Sequence, residues 1–313
     1  MEANTENYKP FLQRFVIYQR ERFPVLTHGL LILAFTFSAV SYSRLCRLTG
    51  GFIAWQDFMA CLWVTFSSFF LLRVADEFKD REDDALYRKY LPVPRGLISL
   101  SELKTTAYIV LMTQVLVILI AQPAMWPFYM AILVFLLLMR FEFFVPALLK
   151  SHYMLYALSH MFIIPVIDMY ASGTDWYLAG DNPPTGIPYF LAVSYLNGLV
   201  IEIGRKLRAP GKEEPGVVSY SSLYGLRNAV LLWLLVVTLA GAGCFMAMGY
   251  AGIQQVYKYL LLPLWLVCCI PAALLLKSPT EKGTKAVEKL SAVWTIMMYL
   301  LLGGIPMLIS LLK

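Results

Sequence analysis

The densest run of chemically active residues in this 313-residue chain is Arg73-Val74-Ala75-Asp76-Glu77-Phe78-Lys79-Asp80-Arg81-Glu82-Asp83-Asp84. Six of the nine residues from Asp76 to Asp84 are acidic. On a continuing helix, Asp76, Asp80 and Asp84 recur at i, i+4 and i+8, with Glu77 one position round, so their carboxylates stack on one face. Like charges at that spacing repel and call for a cation between them. An all-oxygen set suits Mg²⁺, which takes one or two carboxylates, keeps several waters and bridges to a substrate phosphate. The competing reading is a solvated helix end whose acids are neutralised by Lys79, Arg81 and Arg88. The position of the run favours chemistry, because it begins where an apolar stretch ends, and ionisable groups at membrane depth are expensive.

A second polar segment runs from Asn197-Gly198 through Glu202, Gly204-Arg205-Lys206, Arg208 and Pro210-Gly211-Lys212 to Glu213-Glu214. Asn197 and Glu202 add metal-ligand candidates to Asp76, Glu77, Asp80 and Asp84. Arg205, Lys206 and Arg208, with Lys150 from another loop, are candidates for gripping phosphate oxygens, Arg through its two-pronged guanidinium. A plain basic loop is the alternative. Acids on one segment and bases on another, if they meet, make a Mg²⁺–diphosphate site in which Asp76, Asp80 and Glu202 carry the chemistry.

The elements that must bring these segments together are membrane helices. Hydrophobic residues make up 59% of the chain and charged residues 15%, against about a quarter charged in a soluble domain, and mean hydropathy is +0.65. A bilayer core of about 30 Å takes about 20 apolar residues per helix. Nine such runs are present, near Val25–Ser43, Trp55–Val74, Thr105–Ala121, Met125–Met139, Tyr153–Tyr170, Ile187–Ile201, Ala229–Tyr250, Val256–Leu276 and Leu290–Leu312. The expected fold is an all-α polytopic bundle: residues 1–24 an interfacial segment, and residues 25–313 a nine-helix transmembrane catalytic domain. With nine spans, 22 of the 26 Lys and Arg fall on one side, which predicts a cytoplasmic N-terminus and cytoplasmic active-site loops. The net charge of +6 is thus a topology signal, and no nucleic-acid partner is expected. Residues 1–24 carry no apolar run of the kind a cleaved secretion signal needs. The five cysteines form no metal or disulfide pattern, and the Asp175–Pro188 stretch reads as an ordinary connector.

At this point the chain resembles the UbiA superfamily of intramembrane prenyltransferases. The family's first motif, N-D-x-x-D-x-x-x-D followed by an R-P-x-x-x-G turn, is matched by Asp76-Glu77, Asp80 and Asp84, then Leu91-Pro92-Val93-Pro94-Arg95-Gly96. Spacing is kept; the Asn is Asp, the first Asp is Glu, and the turn's Arg is Leu91. Pro146 to Lys150 is similar to a short Pro-and-Lys segment of the family. The second motif is represented by Tyr224-Gly225, while its D-x-x-x-D is absent and Lys206 stands near where an Asp is expected. The resemblance implies that Asp76, Glu77, Asp80 and Asp84 hold Mg²⁺ on a prenyl diphosphate, with the isoprenoid tail among the helices and entering from the lipid.

The chemistry implied is ionisation of a prenyl diphosphate, with the cation passed to a hydrophobic or aromatic acceptor. A terpene cyclase of the same superfamily, closing the cation on its own distant double bond, is the alternative. A transporter is the remote one. It calls for ionisable residues strung through the spans, and the sequence offers only His28, His160 and Asp168, each read as a packing feature.

Overall fold

The computed structural model describes residues 9–213 and 216–312, and among them it contains helices and no strands. In chain order the helices are α1 (Phe11–Arg22), α2 (Val25–Cys46), α3 (Trp55–Lys79), α4 (Arg81–Tyr87), α5 (Leu100–Ala121), α6 (Trp126–Arg140), α7 (Pro146–Ser151), α8 (Tyr153–Met161), α9 (Ile163–Trp176), α10 (Ile187–Arg205), α11 (Tyr220–Tyr250), α12 (Gln255–Tyr259), α13 (Leu261–Lys277), α14 (Glu281–Tyr299) and α15 (Ile305–Leu311). α8 with α9, α12 with α13, and α14 with α15 each make one broken span. Counted so, nine spans among the described residues are long and apolar enough to cross a membrane. The chain is an integral membrane bundle.

Several spans run further into polar sequence than apolar runs alone suggest. α3 continues past Val74 to Lys79, α10 past Ile201 to Arg205, and α14 begins at Glu281. Capping and ion pairing explain the extensions. Ser99 and Glu102 close a capping box on α5, Ser219 and Ser222 close one on α11, and Thr280 caps α14, satisfying amide groups that would otherwise be orphaned. The fifth span breaks between Met161 and Ile163, just before Pro165, whose ring cannot sit comfortably within a helix.

The interior is filled by large rings, among them Tyr42, Tyr129, Tyr170, Phe190, Trp233, Trp294 and Tyr299, all buried. α5 instead turns Tyr108, Ile109, Met112, Leu116 and Ile120 outward, as a helix facing lipid does. Hydroxyl and amide groups inside pair with one another: Tyr129 donates to Gln114 (3.1 Å) and Tyr170 to Gln122 (3.0 Å). Asp168, fully buried, accepts from Ser194, whose hydroxyl lies 2.7 Å from that of Tyr299. Just beyond Tyr299 the backbone widens into a π-helix at Leu300–Gly304. Gly303 is required there: a Cβ on it would meet the Ser38 carbonyl oxygen at 2.2 Å.

Alternation of nine spans puts the chain's charged segments at one end of the bundle. Contacts agree, since α1 bonds α5 through Arg14–Glu102 (2.5 Å) and α3 through Arg22–Glu77 (2.6 Å). The opposite end is tied by Tyr42, which donates to the carbonyls of Gly186 (3.1 Å) and Ala247 (2.9 Å). The Asp175–Pro188 stretch there is more than the connector expected. Asp175 is buried and holds Arg44 (3.0 Å), Arg47 (2.9 Å) and Ser43 (2.8 Å).

Candidate active site

The first acidic segment does not form the single helix expected. α3 ends at Lys79, Asp80 takes φ −87°, ψ 7°, and α4 restarts at Arg81. The i→i−4 bonds Asp80 N–Asp76 O (2.9 Å) and Asp84 N–Asp80 O (2.8 Å) survive the bend. The carboxylates, however, no longer face one way. Glu77 and Asp84 line a cavity of about 160 Å³ with Arg81, Val93, Pro94 and Leu100. Asp76 looks toward the bundle and shares a gap of only about 10 Å³ with Lys79, Arg140 and His160.

Each acid has its own cationic company. Glu77, 1% exposed, is held by Arg22 (2.6 Å) and Arg73 (3.2 Å). Asp84 sits 2.5 Å from Arg88. Burial pushes the Asp84 carboxyl above its usual pKa against the pull of Arg88. Asp76 is more loosely met, by Arg73 at 3.7 Å and Lys79 at 3.8 Å. Asp80 is raised too, first by burial and also by the like charge of Asp76, with Lys79 opposing. Asp76 and Asp80 therefore remain the under-compensated pair.

The second segment folds over the same opening. α10 presents Glu202, buried, with both oxygens taken: Oε2 accepts from Arg205 (2.8 and 2.5 Å), and Oε1 lies 2.6 Å from Lys206. Burial works against the charge on Lys206, but Glu202 beside it prevails and raises its pKa. Asn197, one turn and a half deeper, is 1% exposed, and among the described residues neither its amide nitrogen nor its oxygen has a partner. Arg208 spends its Nη1 on the carbonyls of Arg205 and Leu207. Lys150 is exposed on α7 and makes none of these contacts. Glu213 is exposed in the loop beyond α10, and Glu214 lies outside the described residues.

What joins the two segments is a pair of tyrosines that sequence reasoning passed over. Tyr153 and Tyr156, one turn apart on α8, stack with centroids 5.8 Å apart and planes 15° apart. Lys79 donates to the Tyr156 hydroxyl, and Lys206 donates to that of Tyr153 (2.5 Å). Each ammonium also lies over its tyrosine's ring, at 4.9 and 5.0 Å. Tyr220 meets Tyr153 edge-on, and His160 stacks on Tyr156 at 3.9 Å with its Nε2 unpartnered. A Tyr-x-x-Tyr spacing at the start of a span was the available signal, hidden in an aromatic-rich stretch.

The donor set can be tested against Mg²⁺. Among the described residues, no three His, Cys, Asp or Glu side chains are arranged to hold a metal ion. Two carboxylates suffice for Mg²⁺ when substrate and water complete its shell; Asp76 and Asp80, near enough for the charge of one to raise the other, would be that pair. Asp84 and Glu202 would first have to release arginine or lysine partners; on Glu77 both arginines meet Oε1, and Oε2 has no hydrogen-bond partner among the described residues.

The described residues form a membrane bundle of nine spans with a charged, aromatic opening at one end. Its fold is similar to that of a solved structure concerned with digeranylgeranylglyceryl phosphate synthase in membranes, at a TM-score of 0.58 and 17% identity. The match covers 94% of this chain and 99% of that one. No family model and no curated protein matches the chain.

Proposed function

We propose that this chain is an intramembrane enzyme that ionises an isoprenoid diphosphate at the charged opening and transfers the prenyl cation to an acceptor. The observation that carries the reading is the meeting of the acidic end of α3 and the basic end of α10 on the Tyr153–Tyr156 stack. Similarity in fold to a synthase named for a product with geranylgeranyl groups, and the family resemblance of the first motif, point the same way.

Asp76 and Asp80 would hold Mg²⁺, which when bound neutralises charge developing on the leaving diphosphate. Arg205 and Lys206 offer hydrogen bonds that strengthen as the C–O bond breaks and its electron pair leaves on the diphosphate oxygen. The cation left behind needs dry, π-rich walls; Tyr153, Tyr156 and Tyr220 stand at the opening. The acceptor atom then bonds to the prenyl carbon and loses its proton. The strongly one-sided Lys and Arg distribution supports a cytoplasmic opening, with α1 (Phe11–Arg22) along that membrane face and the nine spans among the described residues as the catalytic bundle. Transport is disfavoured by the closed Asp168–Ser194–Tyr299 set, which is bonded internally rather than strung along a path.

The test supplies purified protein with geranyl, farnesyl or geranylgeranyl diphosphate and Mg²⁺, with and without a lipid or aromatic acceptor. The expected result is release of inorganic diphosphate and a prenylated product, both lost in Asp76→Ala and Asp80→Ala. A cyclic hydrocarbon or alcohol formed without acceptor would replace transfer by cyclisation. No diphosphate release from any of the three substrates would overturn the reading.

A further inference from the structure

We propose that Lys79 and Lys206 form a two-ammonium clamp that grips the substrate diphosphate and stands where a second metal ion would otherwise be needed. The inference deepens the prenyl diphosphate reading above and rests on it.

Three observations carry it. First, Glu202 cannot serve a metal as it stands: it is 2% exposed and both its oxygens are engaged by Arg205 and Lys206. A metal there would have to displace two cations from a buried carboxylate. Those cations outnumber the single acid, so this side of the opening keeps surplus positive charge for an anion.

Second, the ammonium of Lys79 is held mainly by a neutral group. Its hydrogen bond goes to the Tyr156 hydroxyl, while Asp76 stands off at 3.8 Å. A phenol orients an ammonium without discharging it, so Lys79 remains available to a stronger acceptor. Phosphate oxygens are such acceptors, since charge-assisted bonds are roughly twice as strong as neutral ones.

Third, the two lysines are aimed by one device. They come from segments far apart in sequence, yet each rests on a ring of the Tyr153–Tyr156 stack, with centroids 5.8 Å apart. Neighbouring phosphate groups in a diphosphate need cations at neighbouring positions, and stacked rings one helix turn apart supply them. The gap beside Lys79, about 10 Å³, is lined in part by Asp76, Arg140 and His160, so Lys79 faces a small, partly polar recess next to the stack. A diphosphate would take over the bonds that the two hydroxyls now accept. Asp76 and Asp80 would hold one ion beside Lys79, Lys206 faces them from the end of α10, and the site needs a single metal.

The experiment uses the full chain in detergent, Mn²⁺ as the metal and inorganic diphosphate as the probe. Mn²⁺ is counted by electron paramagnetic resonance and diphosphate affinity is measured by calorimetry. The expected stoichiometry is one Mn²⁺ per chain with diphosphate present. Lys79→Met and Lys206→Met should each weaken diphosphate binding about tenfold or more, and Lys206→Arg should restore most of it. Lys206→Asp, placing an acid one turn from Glu202, should admit a second Mn²⁺. Should Lys206→Met fail to fold, Lys79→Met carries the affinity test, because the carboxylate paired with Lys79, Asp76, is one-third exposed and 3.8 Å away. Two Mn²⁺ in the unaltered chain, or undiminished affinity in the folded Met variants, would overturn the clamp and leave the prenyl diphosphate reading standing. Absence of any diphosphate binding would overturn both.

Discussion

The guanidinium of Arg22 lies 2.6 Å from Glu77 Oε1 and so pins the first helix of the chain to the acidic end of α3. Arg73 reaches the same oxygen at 3.2 Å. Glu77 is thereby a structural anchor, whatever its place in the acidic motif. Glu77→Gln keeps the shape but leaves two arginines facing a neutral group. Breaking a buried pair from one side costs about 3 kcal/mol or more. The expected outcome is a clear drop in Tm, followed by tryptophan fluorescence, with Mn²⁺ affinity of the folded fraction unchanged. A large loss of Mn²⁺ affinity at unchanged Tm would mark Glu77 as a metal ligand instead.

Asp80 carries the opposite expectation. It is raised by burial and by Asp76, one turn away, so its negative charge is a burden on the fold when no cation is bound. Like charges at i and i+4 destabilise by up to about 0.5 kcal/mol. Asp80→Asn should therefore raise Tm slightly at neutral pH without divalent ions. Mg²⁺ should then stabilise the unaltered chain more than the variant, because binding to the folded state alone raises apparent stability. Equal Mg²⁺ stabilisation of both would remove Asp80 from the metal site.

The contrast between Glu77 and Asp80 shows what could be read from residue order. The nine spans and the two charged segments were legible, because apolar runs near 20 residues and a lopsided Lys and Arg distribution are properties of composition along the chain. The direction of each carboxylate was not. A run rich in Asp, Glu, Lys and Arg fits a continuous helix, and the bend at Asp80 leaves no mark in it. Partners remote in sequence were equally hidden: Arg22 for Glu77, Tyr156 for Lys79, and Arg44 for Asp175. Tyr153 and Tyr156 escaped notice because tyrosine is common at the ends of membrane spans.

Gly225 offers a test of the second segment's backbone. Its φ of 75° and ψ of 149° interrupt α11 five residues after Tyr220, in a region open essentially to glycine alone. Nothing within 4 Å would obstruct a Cβ, so the cost of Gly225→Ala is conformational rather than steric. About 1–3 kcal/mol of destabilisation is expected, seen as a lower Tm. Because Tyr220 packs edge-on against Tyr153, a helix straightened through Gly225 should also weaken inorganic diphosphate binding. Unchanged Tm would mean that alanine tolerates this conformation here.

Asp175 permits a perturbation at the opposite end of the bundle. Its side chain is fully buried, and it gathers Arg44 and Arg47 from the end of α2 and Ser43 from the preceding turn. Asp175→Ala leaves both guanidiniums without that partner and should cost about 3–5 kcal/mol. Asp175→Asn, which can still accept from Ser43, should cost less. Coupling with Arg47 is measurable by a double-mutant cycle, where contacting residues give about 0.5–3 kcal/mol. Since the charged opening lies across the bundle, diphosphate affinity of the folded fraction should stay constant in both variants. A parallel loss of affinity would show that the Arg44–Asp175 node and the Tyr153–Tyr156 stack move together, making the bundle a single mechanical unit from one end to the other.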